Sequence, residues 1–259
     1  MAVPFLNLQV QYQAHKQEFD KAILDILSAA QFVGGPAIAA FEKEFAAYCE
    51  SGGCAALNSG TDALAFSLMA MGIGPGDEVI TVPNTFIATT EAITQAGASI
   101  RFVDVLPDTM LMDPRALERA MNPRVKCIIP VHLTGLVCDM DAIGKIAREH
   151  GAVVLEDACQ AHGSRYKGRR AGSMGKAGCF SFYPGKNLGA FGEGGAVVSD
   201  AGDDTRVCAW EACRKRRGRR HPSPPCRVLR QSRRGGRHPR GTQGCGLSGS
   251  SGRSRALRH

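Results

Sequence analysis

Lys186 lies in Phe180-Ser181-Phe182-Tyr183-Pro184-Gly185-Lys186-Asn187-Leu188-Gly189, on a turn made by Pro184 and Gly185 and followed by Gly192, Gly194 and Gly195. A lysine fixed on such a turn can present its amine to a carbonyl and form a Schiff base, provided its surroundings tune the amine. The ordinary reading of a lone lysine, a solvated surface charge, stands beside this one. Upstream, Asp157 closes the apolar run Val153-Val154-Leu155. A carboxylate at a strand end can hold a proton on a heterocyclic nitrogen, or simply cap a following helix. Earlier still, Ser59-Gly60-Thr61 opens a helical pattern, where free backbone N–H groups and small hydroxyls can bind a phosphate dianion. That triplet alone is a weak signal, since similar ones cap many helices. A P-loop is excluded around Lys186, because Gly178 and Gly185 are too far apart and Asn187 stands where Ser or Thr would bind magnesium. Gly72, Gly74 and Gly76 read as a turn between helix and strand.

These residues need a scaffold that alternates strands and helices. Residues 36–48, with Ile38, Phe41, Phe45 and Tyr48 on one face, read as an amphipathic lead-in helix. Strands are expected at Cys54–Leu57, Glu78–Val82, Ser99–Val103, Cys127–His132 and Val153–Leu155. Helices are expected at Thr61–Met71, Thr85–Gln95 and Met140–His150. This rhythm predicts an α/β fold with a largely parallel sheet covered by helices.

Composition divides the chain near Arg206. Residues 1–205 carry a net charge of −7, and residues 206–259 carry +15 with a single acid, Glu211. The second part is rich in Arg, Gly, Ser and Pro, lacks apolar periodicity, and is expected to be disordered by itself. An arginine-rich tail could neutralise nucleic-acid phosphates. It has no interleaved aromatic residues and no recognisable binding fold, so nucleic acid is an alternative partner rather than the expected one. The ten cysteines contain no C-x-x-C pair, which argues against zinc knuckles and redox pairs, and no metal is expected. Cys54, Cys127 and Cys179 sit in apolar runs and read as reduced core residues. The N-terminus has no basic region followed by an apolar run, and no stretch reaches the roughly 18 apolar residues of a membrane span. The expected location is cytoplasmic.

Taken in order, Ser59-Gly60-Thr61, Glu156-Asp157-Ala158-Cys159-Gln160-Ala161-His162-Gly163 and the Lys186 segment suit pyridoxal phosphate. From about Phe5 to Asp200 the chain resembles the DegT/DnrJ/EryC1/StrS aminotransferases. The resemblance implies the aspartate-aminotransferase-like fold of pyridoxal-phosphate-dependent transferases: a large domain with a seven-stranded, mostly parallel sheet, then a smaller C-terminal domain. It implies transamination of a nucleotide-linked keto sugar, with glutamate as donor, by a homodimer in which the partner chain completes each site. Lys186 would be the catalytic residue, and relatives that dehydrate sugars carry histidine there. The cofactor-binding set implied is Ser59, Gly60, Thr61, Phe86, Asp157, Gln160, Ser181 and Lys186. Among these, Ser181 resembles a further phosphate hydroxyl, Gln160 the residue beside the cofactor's phenolic oxygen, and Phe86 the aromatic that packs over its ring. An ordinary core phenylalanine is the other reading of Phe86. For His162 a site role and mere support of its turn are both open readings, and His132 in Pro130-Val131-His132-Leu133 is given no role. The division expected is an N-terminal arm over 1–35, an incomplete cofactor-binding domain over 36–205 and a basic low-complexity tail over 206–259. The tail is expected to be a frame-shifted or truncated continuation lacking the small domain, leaving the chain as written aggregation-prone or with little activity.

Overall fold

A computed structural model of the chain describes residues 3–200. The expectations for residues 206–259, and for what they do to activity, lie outside the described residues. Two helices open the chain, α1 (Leu8–Ala14) and α2 (Lys16–Ser28), followed by α3 (Pro36–Tyr48). Then come β1 (Gly53–Leu57), α4 (Gly60–Ala70), β2 (Glu78–Thr81), α5 (Ile87–Ala96), β3 (Ser99–Phe102), α6 (Pro114–Ala120) and β4 (Val125–Ile128). A short 3-10 turn at Leu133–Gly135 leads to α7 (Met140–His150), β5 (Val153–Asp157), the hairpin β6 (Arg165–Tyr166) and β7 (Arg169–Arg170), β8 (Ala177–Ser181) and β9 (Gly195–Ser199).

Seven strands form one sheet in the order β1-β9-β8-β5-β4-β2-β3. The pairs β3–β2, β2–β4, β4–β5 and β5–β8 are parallel, while β9 runs antiparallel to both β8 and β1. The sheet is therefore mostly parallel, as the α/β rhythm predicts.

Strand periodicity of two explains the core. Val79, Cys127, Leu155, Cys179 and Val197 point to one face, where they meet Leu64, Phe66 and Leu68 of α4 and Ile93 of α5. Their neighbours Ile80, Ile128, Val154, Phe180 and Val198 point to the other, against Phe45 of α3, Leu117 of α6 and Ile143 and Ile146 of α7. Burial on both faces is why these strands read as continuous apolar runs instead of alternating ones. Burial also pushes the Cys127 thiol up to about 12, so this cysteine is a small core hydrophobe.

Local chemistry sets the helix ends. Asp139 caps α7 by accepting from the Ala142 N–H at 3.1 Å, and Gly151 closes it in the left-handed region at φ 67°. Pro36 starts α3 at a position where its missing N–H costs nothing. The expected apolar face of α3 is narrower than its spacing suggests: Phe45 is buried and Phe41 packs against the core, but Ile38 and Tyr48 are exposed. Tyr48 instead carries the Arg170 guanidinium, 4.5 Å above its ring. The strand expected to reach His132 ends at Ile128, just before Pro130, which has no amide to donate. Pairing resumes as a single bridge between Val131 and Asp157. Among the described residues, no helix is long and apolar enough to cross a membrane.

At the amino edge of the sheet, Glu78 accepts from Arg101 Nε at 2.7 Å and from Asn122 Nδ2 at 2.9 Å, with Arg124 Nη2 at 2.5 Å from its second oxygen. The Arg101 hydrogen bond, then that of Asn122, holds the Glu78 carboxyl down at about 2, below its ordinary 4.5. A carboxyl lowered on folding adds stability that is complete above its unfolded value and is lost as pH falls toward its folded one. Stability is thus expected to fall between pH 4.5 and about 2. Glu78→Gln should flatten that part of a denaturant-unfolding profile and cost about 1 kcal/mol at neutral pH, the arginine partners being partly exposed and screened.

Candidate functional site

In an open parallel sheet, the loops that leave the carboxyl ends of the strands gather on one edge. Here they enclose a cavity of 510 Å³ whose wall includes Ser59, Gly60, Thr61, Phe86, Asp157, Gln160, Ser181 and Lys186. All eight residues singled out from sequence therefore share one cavity, although the first and last lie 127 residues apart in the chain.

The α4 end of the cavity is built by close backbone approach. Ser59 caps α4, its Oγ accepting from the Asp62 N–H at 3.1 Å, so its own hydroxyl proton stays available to a ligand. The amides of the first helical turn have no intrahelical acceptors, and the helix dipole adds partial positive charge there. A Cβ on Gly60 would lie 2.8 Å from both Cys159 Sγ and Ser181 Cβ, and one on Gly195 would lie 2.2 Å from the Ser59 carbonyl oxygen. Only glycine lets α4 start this close to the ends of β5 and β8. That approach brings Ser181 beside the α4 N-terminus.

Two consecutive acids at the end of β5 have different fates. Glu156 is fully buried on one side, where it accepts from His132 Nε2 at 2.9 Å and from the backbone N–H groups of Gly172 at 2.7 Å, Met174 at 2.6 Å and Gly175. The Cys138 amide donates to His132 Nδ1 at 3.3 Å, which leaves Nε2 carrying the proton that faces Glu156. Every bond of Glu156 is structural. Asp157 faces the cavity, 6 % exposed, with Oδ2 accepting from Thr89 Oγ1 at 2.7 Å and Oδ1 from the Cys159 N–H at 3.2 Å. Burial, then the neighbouring Asp157 charge, raises the Cys159 thiol well above its ordinary range and keeps it protonated.

Lys186 sits half-buried on the loop between β8 and β9. Its N–H donates to the Tyr183 carbonyl at 2.8 Å, and Ala190 N–H to the Phe182 carbonyl at 2.8 Å, so the loop folds back on itself. Phe191 anchors the loop's far side, its ring 4.8 Å from Phe19 and 6.0 Å from Tyr12 between centroids. His162 does not line the cavity. It packs on Phe180 and Phe182 at 5.2 Å each, and its carbonyl accepts from Asn187 Nδ2 at 3.2 Å, tying down the residue after Lys186. Burial lowers the His162 pKa, against the opposing influence of Asn187, and the Lys186 charge lowers it further.

Phe86 is not a core residue. It stands 66 % exposed as the residue that opens α5, on the cavity rim. Gln160 Oε1 accepts from the Thr134 N–H at 3.3 Å, leaving its NH₂ free to donate. The sequence reading missed Thr85, Thr89, Tyr183 and Glu193, which also form the wall. Thr89 had no detectable signal, since its partner lies 68 residues away.

Truncating Glu156 tests how far the cavity rests on its buried partner. Glu156→Ala would strand His132 and three amides, and should destabilise the fold by roughly 3–5 kcal/mol in equilibrium denaturation.

The sequence model of the DegT/DnrJ/EryC1/StrS aminotransferase family matches residues 13–220. The match runs past Asp200, where the resemblance read from sequence stops. A dTDP-3-amino-3,4,6-trideoxy-alpha-D-glucose transaminase of Streptomyces venezuelae is 48 % identical over 197 residues, covering 76 % of this chain and 52 % of its own. The solved structure of S. venezuelae DesV is similar with a TM-score of 0.78 at 46 % identity, over 80 % of this chain and 56 % of that one. A putative sugar aminotransferase of Streptococcus pneumoniae, Spr1654 in its PLP form, is similar at 0.68 and 31 % identity, over 71 % and 53 %. The chain spans about half the length of the curated relatives it matches. A family match over most of the chain, joined to a curated relative identical at 48 % of 197 aligned residues and to solved structures that share its fold, means that the chain belongs to the DegT/DnrJ/EryC1/StrS aminotransferase family.

Proposed function

We propose that the cavity holds pyridoxal 5'-phosphate and that the protein transfers an amino group from glutamate to a nucleotide-linked keto sugar. The carrying observation is convergence: an α4 N-terminus, an acid with open acceptor capacity and a lysine line one 510 Å³ cavity. The residues fit the group. A dianion has free amides and the Ser59 hydroxyl at one end, and a protonated ring nitrogen has the Asp157 carboxylate as an acceptor. When bound, pyridoxal phosphate supplies an aldehyde that can take an amino group and a ring that accepts the electron pair released at the substrate carbon.

In this reading Ser59, Gly60, Thr61 and Ser181 bind the phosphate, and Asp157 holds the proton at the ring nitrogen. Phe86 covers one ring face and excludes water from it, and the Gln160 NH₂ donates to the phenolic oxygen. Lys186 Nζ holds the cofactor at rest and, once displaced by substrate, takes and returns the proton at the reacting carbon as general base and acid. His162 keeps this loop in place through Asn187. The sugar-nucleotide substrate class rests on the similarity to the dTDP-sugar transaminase. A homodimer belongs to the same proposal, with support from exposed Val10 on α1 and Leu24 and Leu27 on α2. So does a cytoplasmic location, with support from described cysteines that are all free thiols.

Borohydride reduction of the chain incubated with pyridoxal phosphate, followed by peptide mass spectrometry, is expected to place a pyridoxyl group on Lys186. Label on another lysine, or none in a folded sample, would falsify the assignment. For Asp157, single-turnover absorbance with glutamate is the measurement. Asp157→Ala should slow the half-reaction far more than Asp157→Glu, by up to about tenfold for each pKa unit lost at the ring nitrogen once that pKa falls below the working pH. Equal rates in the two variants would make Asp157 a structural acid.

A further inference from the structure

Asp157 does not meet its ligand unaided. Thr89 is fully buried on α5, and its Oγ1 lies 2.7 Å from Asp157 Oδ2; Thr85 Oγ1 lies 2.7 Å from Thr89 Oγ1. An ionised carboxylate only accepts, so the single hydroxyl proton of Thr89 belongs to Asp157. With that proton committed, Thr89 can only accept from Thr85. The donors therefore run one way, from Thr85 to Thr89 to Asp157. The Cys159 amide fixes the other carboxylate oxygen at 3.2 Å.

Packing does not call for a hydroxyl here. The other buried side chains of α5 are Ala88, Ala92 and Ile93, and a valine has nearly the shape of threonine. A buried hydroxyl is unfavourable unless it is bonded, and this one is bonded to the acid. Donation to a carboxylate favours its charged form, and two fixed donors hold its plane. The same turn presents the rim aromatic, because the Thr89 N–H donates to the Phe86 carbonyl at 3.1 Å. The other titratable groups on the cavity wall are His132, Cys159, Tyr183, Lys186 and Glu193, and Glu156 lies on the opposite side of β5.

We propose that Thr89, backed by Thr85, is a positioning residue that holds the Asp157 carboxylate toward the cofactor's ring nitrogen. This rests on the role of Asp157 given above.

The test uses the full chain loaded with pyridoxal phosphate carrying ¹⁵N in the ring, with the nitrogen chemical shift read at neutral pH. The unsubstituted chain should show a protonated nitrogen, and Asp157→Asn should move the signal to the unprotonated position. Thr89→Val should raise the unprotonated fraction about tenfold, the equivalent of one pKa unit, and Thr89→Ser should restore the original shift. Thr85→Val, which leaves Thr89 in place, should give a smaller change in the same sense and carries the test if Thr89→Val does not fold. If Asp157→Asn moves the signal while Thr89→Val and Thr85→Val leave it in place, Thr89 is a packing residue and the inference is overturned. If Asp157→Asn leaves the signal unchanged, or the unsubstituted chain takes up no cofactor, the reading of Asp157 itself fails, and the role of Thr89 fails with it.

Discussion

Burial of both faces of the sheet is the constraint on which the rest depends. Val79, Cys127, Leu155, Cys179 and Val197 on one side, and Ile80, Ile128, Val154, Phe180 and Val198 on the other, are all shielded by helices. Such strands expose neither face to a ligand. Polar chemistry is confined to their ends, and parallel order sends the carboxyl ends of β2, β4, β5 and β8 to one edge. The cavity lies where the fold permits one.

That confinement makes the turn at the end of β5 decisive. Successive residues of a strand face opposite ways, so Glu156 and Asp157 divide the labour. Glu156 accepts from His132 and three amides, and thereby ties the 172–175 segment to the sheet. Asp157 receives two donors and keeps acceptor capacity toward the cavity. A one-residue slip would exchange the two, placing the committed carboxylate in the cavity and the open one among buried amides.

The Lys186 loop is fixed by contacts on three sides. The Tyr183 carbonyl receives the Lys186 amide, the His162 carbonyl receives Asn187, and Phe191 packs on Phe19 and Tyr12 of the N-terminal helices. An amine that must meet a defined carbon gains from such preorganisation, because a flexible loop would have to be ordered at each encounter. The glycines at 60 and 195 serve the same end by letting backbones touch where any side chain would intervene.

Sequence alone determined the α/β rhythm, the bounds of α3 and α7, and the eight residues that share the cavity. These were legible because helix periodicity and contiguous motifs such as Tyr183-Pro184-Gly185-Lys186 are local signals. The helices α1 and α6, of seven residues each, escaped the sequence reading, as did α2, which lies inside the stretch taken as an N-terminal arm. The run around Cys179 was read only as an apolar segment, and β9, opening on Gly195 directly after Gly194, was not read as a strand. Tertiary structure decided the antiparallel placement of β9 between β1 and β8, the exposure of Ile38 and Tyr48, and the position of Phe86 on the rim instead of in the core. It also decided which groups engage Glu156 and which threonine serves Asp157. Those outcomes depend on contacts between residues far apart in the chain, such as Thr89 with Asp157, and no local pattern of residue types encodes a partner 68 positions away.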